Sequence, residues 1–253
     1  MPTETSRGRS NRERLAARRA AEAAARARAA RRRRTVLGGM VAAVVVLVAL
    51  VVVIAVQSHR TTPSADAAVP ANTVDGTVIA VGSADALVAV DLYEDFQCPN
   101  CKAFEDKTGQ TLAQLVAAGT VQARYHGMAF LDTSANDDYS TRALNAAAVV
   151  LSTAGPDAFQ TFHDLLYANQ PAEGGSGLTD EQLIEYAGQA GATGSTVQAQ
   201  IHELTYGDWV TKATDQASKD GVTGTPTVFV DGTELSDLSA AGLTAAVSVA
   251  QAG

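Results

Sequence analysis

The chain contains only two cysteines, Cys98 and Cys101, and two residues separate them. The residues before them, Leu87 to Tyr93, form a nearly continuous apolar run that is typical of a buried strand. After them, apolar residues recur at spacings of three and four, which predicts a helix that ends near Gly119. Pro99 favours the first position of this helix, because an N–H there would have no partner. The sequence therefore predicts a strand, then a helix with Cys98 as its N-cap.

A cysteine pair in this position can exchange disulfides. A helix N-terminus offers unpaired N–H groups and a partial positive charge, and both stabilise a thiolate on Cys98. Cys101 follows one turn later, close enough to form a disulfide with Cys98 or to resolve a mixed disulfide held there. The pattern thus favours redox chemistry in which one cysteine attacks and the other resolves.

Two other uses of the pair are open. An inert structural disulfide would constrain the unfolded chain little, because its loop is so short. A metal site would need ligands from elsewhere, such as His126, His163 and His202 or a carboxylate, to converge on the cysteines. The chain lacks the second Cys-X-X-Cys of many zinc fingers, and two cysteines are too few for a disulfide-dense scaffold.

Charge and hydropathy predict a membrane anchor near the N-terminus. Residues 1–34 carry twelve arginines and three glutamates, whereas residues 35–253 carry seven Lys or Arg and twenty-four Asp or Glu. Between these parts, Val36 to Val56 hold no charge, and a helix of that length spans roughly 31 Å, enough for one crossing. The arginines at 31–34 place the N-terminus in the cytoplasm by the positive-inside rule. We predict a cytoplasmic tail over 1–34, a transmembrane helix over 35–56 and an extracytoplasmic remainder at the cell membrane.

A cleaved signal peptide is the alternative to this anchor, but the apolar run is longer than the usual h-region of about 7 to 15 residues. Clustered arginines can also bind nucleic-acid phosphates. Since no aromatic residue interleaves those in the tail, nothing there would stack on bases, and we expect no nucleic-acid partner.

The rest of the chain predicts a linker over 57–73 and one α/β domain over 74–253. Beside the strand at 87–93, strands are predicted at Thr77 to Val81 and at Val121 to Tyr125, the latter extending towards Phe130. The strand, helix and strand around the cysteines form a β-α-β unit with two parallel strands.

A helical block is predicted over about 132–220, and a strand at Thr227 to Val230 and an Ala-rich helix over 238–251 follow it. The predicted helices of the block are Tyr139 to Ser152, Asp157 to Ala168, Glu181 to Ala190 and Thr196 to Ser218.

Two motifs together carry a family resemblance. They are VAVDLYEDFQCPNC at 88–101 and Gly-Thr-Pro-Thr at 224–227, on either side of the helical block. With these motifs the chain resembles the DsbA-like branch of the thioredoxin-fold oxidoreductases over about residues 74–253, and most closely its membrane-anchored members from Gram-positive-type bacteria. The resemblance implies a thioredoxin fold with an inserted all-helical subdomain, preceded here by the single transmembrane helix.

The resemblance also implies roles for individual residues. Cys98 would be the exposed nucleophile and Cys101 the resolving thiol, with Pro99 and Asn100 between them and no cofactor. Pro226 would be a cis-proline that faces the cysteines and turns the Thr225 backbone outward, where it can pair with an extended substrate strand. Base rates alone would favour a trans proline that opens an edge strand.

The sequence departs from the family pattern at two positions. Members often have a carboxylate six residues before the first cysteine, where this chain has Leu92. Strand alternation places Glu94 on the same face as Leu92, so Glu94 is the candidate proton relay, and a solvated charge at the strand end is the alternative. Asn100 stands where the best-known oxidant of the family has histidine, and asparagine can donate a hydrogen bond to the thiolate without adding positive charge.

The sequence thus predicts an extracytoplasmic enzyme that oxidises cysteine pairs in exported proteins, because disulfides persist outside the cytoplasm. The resemblance implies a quinone-linked membrane partner, of the DsbB or vitamin-K-epoxide-reductase type, that regenerates the Cys98–Cys101 disulfide. A disulfide reductase or isomerase would use the same residues. A metallochaperone and a tethered binding module without enzymatic activity are the alternatives from other classes.

Overall fold

The computed structural model describes residues 67–252, which are built around a six-stranded mixed sheet. The strands are β1 (Thr73–Val74), β2 (Val78–Val81), β3 (Val88–Glu94), β4 (Val121–Gly127), β5 (Thr227–Val230) and β6 (Thr233–Glu234). Their spatial order is β1-β2-β4-β3-β5-β6; β3 and β4 are parallel, and the other neighbours are antiparallel.

The helices surround this sheet and fill the interval between β4 and β5. They are α1 (Pro99–Phe104), α2 (Gln110–Ala117), α3 (Tyr139–Ala154), α4 (Pro156–Ala168), α5 (Asp180–Gln189), α6 (Ser195–His202), α7 (Gly207–Lys219) and α8 (Ala240–Ala252). A π-helical segment, Glu105–Gly109, joins α1 to α2.

The β-α-β unit predicted around the cysteines is confirmed. The parallel register of β3 and β4 pairs Val88 with Val121 and Leu92 with Tyr125, and all four side chains are buried. The helical connection ends at Ala118 with Gly119 in the left-handed conformation, and the two backbone hydrogen bonds of a Schellman motif close it. The unit thereby fixes the strand end at which the cysteines lie.

The helical block between β4 and β5 is built around α3. This helix is buried along most of its length and packs against α4, α5, α6 and α7. Ala146, Ala147 and Ala148 are fully buried, and their small side chains allow neighbouring helices to approach closely. Asn145, also fully buried, accepts a hydrogen bond from the Tyr206 backbone over 2.8 Å, which ties α3 to the start of α7.

One helix predicted in this block is wrong. The sequence predicts a continuous helix from Thr196 to Ser218, but the structure has α6 and α7 with a turn between them. Leu204 adopts a φ of 50°, which a right-handed helix excludes. The hydrophobic spacing continues through the break because both helices bury apolar side chains in the same core, so periodicity did not reveal the turn.

Two strand boundaries also differ from the prediction. β4 ends at Gly127 rather than continuing to Phe130, because the Phe130 and Leu131 backbones donate to the Asp95 carboxylate over 2.9 and 3.1 Å. β1 begins at Thr73, within the segment predicted to be linker, where it pairs with the adjacent β2. Both differences come from pairing partners that a local pattern does not show.

The predicted anchor belongs to the part of the chain that the structure does not describe. Within residues 67–252, none of the helices has the length and apolar character needed to span a membrane. The tail over 1–34, the transmembrane helix over 35–56 and most of the linker over 57–73 lie outside the described residues and stay predictions.

Candidate active site

The first cysteine lies at the end of the central strand that leads into α1. Cys98 is the N-cap of α1 with an extended backbone, Pro99 occupies the first turn, and no side chain caps the helix. The Cys98 N–H donates to the Asp95 carbonyl over 2.9 Å, which holds the loop closed. The open N–H groups at the start of α1 therefore face the Cys98 sulfur, as the sequence predicts.

The two cysteines are reduced and chemically unequal. The family resemblance implies an exposed Cys98, but this residue is buried with 6% of its surface accessible, because α1 and the Thr225 loop pack around it, and Cys101 is 1% exposed. A hydrogen bond from the Cys101 thiol lowers the pKa of Cys98 to about 5, with help from the Thr225 side chain and two backbone N–H groups, and burial acts in the opposite direction. Burial, the hydrogen bond to Cys98 and the charge of Glu94 raise the pKa of Cys101. The site thus keeps a thiolate on Cys98 and a neutral thiol on Cys101.

The two residues between the cysteines are exposed. The sequence assigned to the Asn100 side chain a hydrogen bond to the thiolate, but the hydrogen bond from Asn100 that lowers the pKa of Cys98 comes from its backbone N–H. Any residue other than proline would supply that donor. The low pKa of Cys98 therefore does not depend on the asparagine side chain.

The loop before β5 faces the cysteines. The Thr225–Pro226 peptide bond is cis, in agreement with the family resemblance. The Cys98 sulfur lies 3.3 Å from the Thr225 carbonyl oxygen, to which it can donate only in its protonated thiol form. A cavity of about 540 Å³ lies beside this contact, and we call it the active-site cavity. Its lining includes Asn100, Phe104, Lys107, Thr225, Pro226 and Asp237.

The candidate proton relay is buried beneath the cysteines. Glu94 and Leu92 share a buried face of β3, as strand alternation predicts, and the alternative of a solvated Glu94 is wrong. Glu94 Oε1 lies 2.7 Å from His163 Nε2, and the His163 side chain is fully buried. On the half-buried face of β3, Asp91 contacts His126 Nε2 over 2.8 Å. Glu94 and Asp91 therefore lie on opposite faces of β3, and each contacts a different histidine.

Two buried polar residues of the active-site loop were not recognised in the sequence. Asp95 accepts hydrogen bonds from the Gln97 backbone and the Ser140 hydroxyl through one oxygen, and from the chain after β4 through the other. Burial raises the pKa of Asp95 to about 6. The Gln97 side chain donates to Gly175 over 3.2 Å, in the loop before α5. The only local signal was a charged and an amide residue in an otherwise apolar segment.

Within the described part of the chain, the histidines that a metal site at the cysteine pair would need do not lie beside the two cysteines. His126 pairs with Asp91, and His202 lies on the surface beside Asp180, 3.2 Å away. Among residues 67–252, the one group of three side chains able to hold a metal comprises two glutamates and His163, and it contains no cysteine. The described histidines therefore do not form a metal site with the cysteine pair.

The fold and the site together define a thiol–disulfide exchange centre on a thioredoxin fold. The sequence profile of the protein family described as thioredoxin matches residues 74–248, which is more than half of the chain. The chain therefore belongs to the thioredoxin family and to its DsbA-like branch, as two solved structures from Mycobacterium tuberculosis also show. The reduced disulfide bond oxidoreductase DsbG is 34% identical, with 72% of this chain and 90% of that chain covered and a TM-score of 0.63. The oxidised DsbA is 35% identical, with 68% and 91% covered and a TM-score of 0.61.

A relative of different architecture is also similar. The serine/threonine-protein kinase PknE of Mycobacterium tuberculosis is 30% identical over 156 residues, which cover 59% of this chain. The same alignment spans only 28% of the kinase. The similarity therefore concerns only a part of the kinase, and we do not infer kinase activity for this chain from it.

Proposed function

We propose that this protein oxidises paired thiols of exported proteins through Cys98 and Cys101. The unequal pKa values of the two cysteines carry the proposal. A low pKa of the nucleophile stabilises the reduced form as a thiolate, and this makes the disulfide form more oxidising. The same low pKa makes Cys98 a good leaving group when a substrate disulfide is released.

The proposed reaction has two steps. A substrate thiolate attacks Cys98 Sγ, the Cys98–Cys101 bond breaks, and Cys101 leaves with the electron pair. A second substrate thiolate then attacks the substrate sulfur of the mixed disulfide, and Cys98 leaves as a thiolate. The substrate loses two electrons and gains a disulfide, while the protein becomes a dithiol. A second oxidant must then remove these two electrons.

The surface around the cis-proline suits an extended peptide. The Thr225 carbonyl lies 3.3 Å from the Cys98 sulfur, so a substrate strand paired with this backbone would hold its own cysteine close to Cys98. The active-site cavity adds the apolar Phe104 and two opposite charges, Lys107 and Asp237. A substrate segment with an apolar residue beside its cysteine fits this lining.

Membrane anchoring and a redox partner are parts of the same proposal. We infer that 35–56 cross the membrane with the domain outside, and that a quinone-linked membrane protein reoxidises Cys98 and Cys101. The charge asymmetry around the apolar segment supports the first inference. The need for an oxidant to accept two electrons per substrate supports the second.

We expect the full chain to sediment with membranes and to resist carbonate extraction, because its apolar segment would be integrated in the bilayer. A fragment that begins at residue 67 is the matched control and should stay in the supernatant. Protease added outside intact spheroplasts should digest the domain of the full chain. Full chain released by carbonate, or protected from external protease, would contradict the anchor or its orientation.

The reduction potential of a fragment covering 67–253, equilibrated with glutathione buffers, tests the direction of exchange. We expect a value of about −120 mV, as in strong oxidases, rather than about −270 mV, as in thioredoxin, which acts as a reductant. The low pKa of Cys98 is the reason, since it stabilises the dithiol state. A value near that of thioredoxin would replace the oxidase with the reductase or isomerase, which uses the same residues.

A further inference from the structure

The buried cysteine cannot take part in exchange without a proton donor. When Cys101 leaves during attack on Cys98, its sulfur carries a negative charge at a position that is 1% exposed. Burial strongly favours the neutral thiol there, so one proton must reach Cys101 each time substrate is oxidised. The same proton must depart when the disulfide is formed again.

A bound substrate closes the direct route for this proton. In the mixed disulfide of the proposed reaction, substrate attached to Cys98 would cover Thr225 and the active-site cavity, which lie beside that sulfur. Water then has poor access to the sulfurs from that side. A second route would let Cys101 exchange protons while substrate is bound.

A row of three side chains leads from Cys101 to another surface. Glu94 is close enough for its charge to raise the pKa of Cys101, and its Oε1 lies 2.7 Å from His163 Nε2. The other ring nitrogen, Nδ1, lies 3.4 Å from Asp164 Oδ1. The side chains of Glu94, His163 and Asp164 are 5%, 0% and 64% exposed. The imidazole thus joins a buried carboxylate to one in contact with solvent.

The row ends at a separate cavity of about 530 Å³ between α2 and α4, which we call the α2–α4 cavity. Asp164 and Glu105 line it, and none of its lining residues borders the active-site cavity. Glu105 also belongs to the cluster of ligand-type atoms with Glu94 and His163, all within 4.8 Å of one another. Within the described chain, Glu105 Oε1 is buried and no group donates a hydrogen bond to it.

The charges around the imidazole suit proton transfer. Burial lowers the pKa of His163, but Glu94, Asp164 and Glu105 together raise it by a larger amount. The pKa of His163 therefore lies well above its usual range. Burial raises the pKa of Glu105 to about 7. The tyrosines against the ring, Tyr125 and Tyr167, have pKa values raised well above the ordinary value and stay neutral. Their rings and two phenylalanines pack around the imidazole, which lies between Glu94 and Asp164.

We propose that His163 is a positioning residue that carries protons between Glu94, beneath Cys101, and solvent in the α2–α4 cavity. The proposal rests on the proposed thiol–disulfide exchange, although it holds for either direction of exchange. During substrate oxidation, the Cys101 thiolate takes a proton through Glu94, His163 gives one up, and Asp164 or water replaces it. During reoxidation the proton follows the same path outward.

The test replaces His163 with glutamine, whose amide NH2 group can still donate a hydrogen bond to Glu94 but which cannot carry a proton. The full chain, oxidised and held in mild detergent, is mixed with dithiothreitol, quenched with acid, and analysed by mass after alkylation. We expect His163→Gln to lower the rate of Cys101 release about tenfold at neutral pH, less than the roughly 10²- to 10⁴-fold of a direct general acid or base, because His163 acts through Glu94. We also expect a larger solvent deuterium isotope effect than in wild type, and recovery of the rate on addition of imidazole.

Two surface variants keep the test valid if His163→Gln does not fold. Asp164→Asn removes the solvent end of the row and should lower the rate about threefold, again with a larger isotope effect. Asp157→Asn removes a carboxylate from the same cavity, one that makes no contact with His163 in the described chain, and should leave the rate unchanged.

Equal rates and isotope effects in wild type, His163→Gln and Asp164→Asn would overturn the proton path. So would an equal loss in Asp164→Asn and Asp157→Asn, since that would show a general effect of surface charge. If wild type itself shows no exchange with dithiothreitol, the proposed function fails instead, and the two failures are therefore distinguishable.

Discussion

Cys98→Ser is expected to remove thiol–disulfide exchange, with a loss of at least about 10³-fold in the oxidation of a reduced, unfolded model protein. A serine hydroxyl ionises far above neutral pH, so the hydrogen bonds that stabilise the Cys98 thiolate cannot make it a nucleophile at that position. The measurement is the rate at which free thiols of the substrate disappear, followed with the oxidised wild type and the variant side by side.

Cys101→Ser is the matched control, because it removes the other sulfur and leaves the nucleophile in place. With the resolving thiol absent, the Cys98 thiolate should attack a disulfide-bonded substrate and release one substrate sulfur as a thiolate. The mixed disulfide left on Cys98 should persist and be visible as an adduct on non-reducing gels. No such adducts should form with Cys98→Ser. Adducts on Cys101 but not on Cys98 would reverse the roles assigned to the two cysteines.

A cellular test separates catalysis from binding. A double variant, Cys98→Ala with Cys101→Ala, keeps the surface of the domain but has no sulfur for exchange. We expect it to lose all function in cells that need disulfides in exported proteins. Full function of the double variant would support the tethered binding module instead.

The parts of the fold that depend on short-range order could be predicted from the sequence. The buried run of β3, the N-cap at Cys98 and the helix end near Gly119 each follow from a few neighbouring residues, and the structure has all three. Helix α3 followed equally from its apolar spacing. The break between α6 and α7 did not, because a turn that keeps the same side buried leaves the hydrophobic spacing intact.

The active site shows the same division. The cysteine pair and Pro226 are recognisable because their chemistry is local or is written in a short motif. The roles of Asp95, Gln97 and His163 depend on partners about 35 to 80 residues away, such as Ser140 and Gly175. His163 in particular lies within an ordinary amphipathic helix, and its sequence neighbours do not indicate that it lies beside Glu94. Such residues are found only when the strand end and the helix are brought together.

The second large effect expected is on the pH dependence of Cys98. With a pKa of about 5 instead of 9.0, Cys98 is mostly thiolate at pH 6, where an ordinary thiol is ionised about 10³-fold less. The rate of alkylation by iodoacetamide, followed by mass between about pH 3 and pH 8, should therefore rise with a midpoint near pH 5. Cys101→Ala removes the strongest hydrogen bond to the thiolate, so its midpoint should lie at higher pH.

The lowered pKa of Cys98 also determines how the stability of the reduced protein changes with pH. A lowered pKa contributes stability to the reduced protein that is fully present above the unfolded value, near pH 9, and is lost as the pH falls through about 5. The oxidised protein has no Cys98 thiolate and lacks this contribution. The melting temperature of the reduced form, relative to the oxidised form, should therefore fall as the pH is lowered from about 8 to 5. A constant difference, or an alkylation midpoint above pH 8, would show that the site does not stabilise the thiolate, and the proposed oxidase would lose its physical basis.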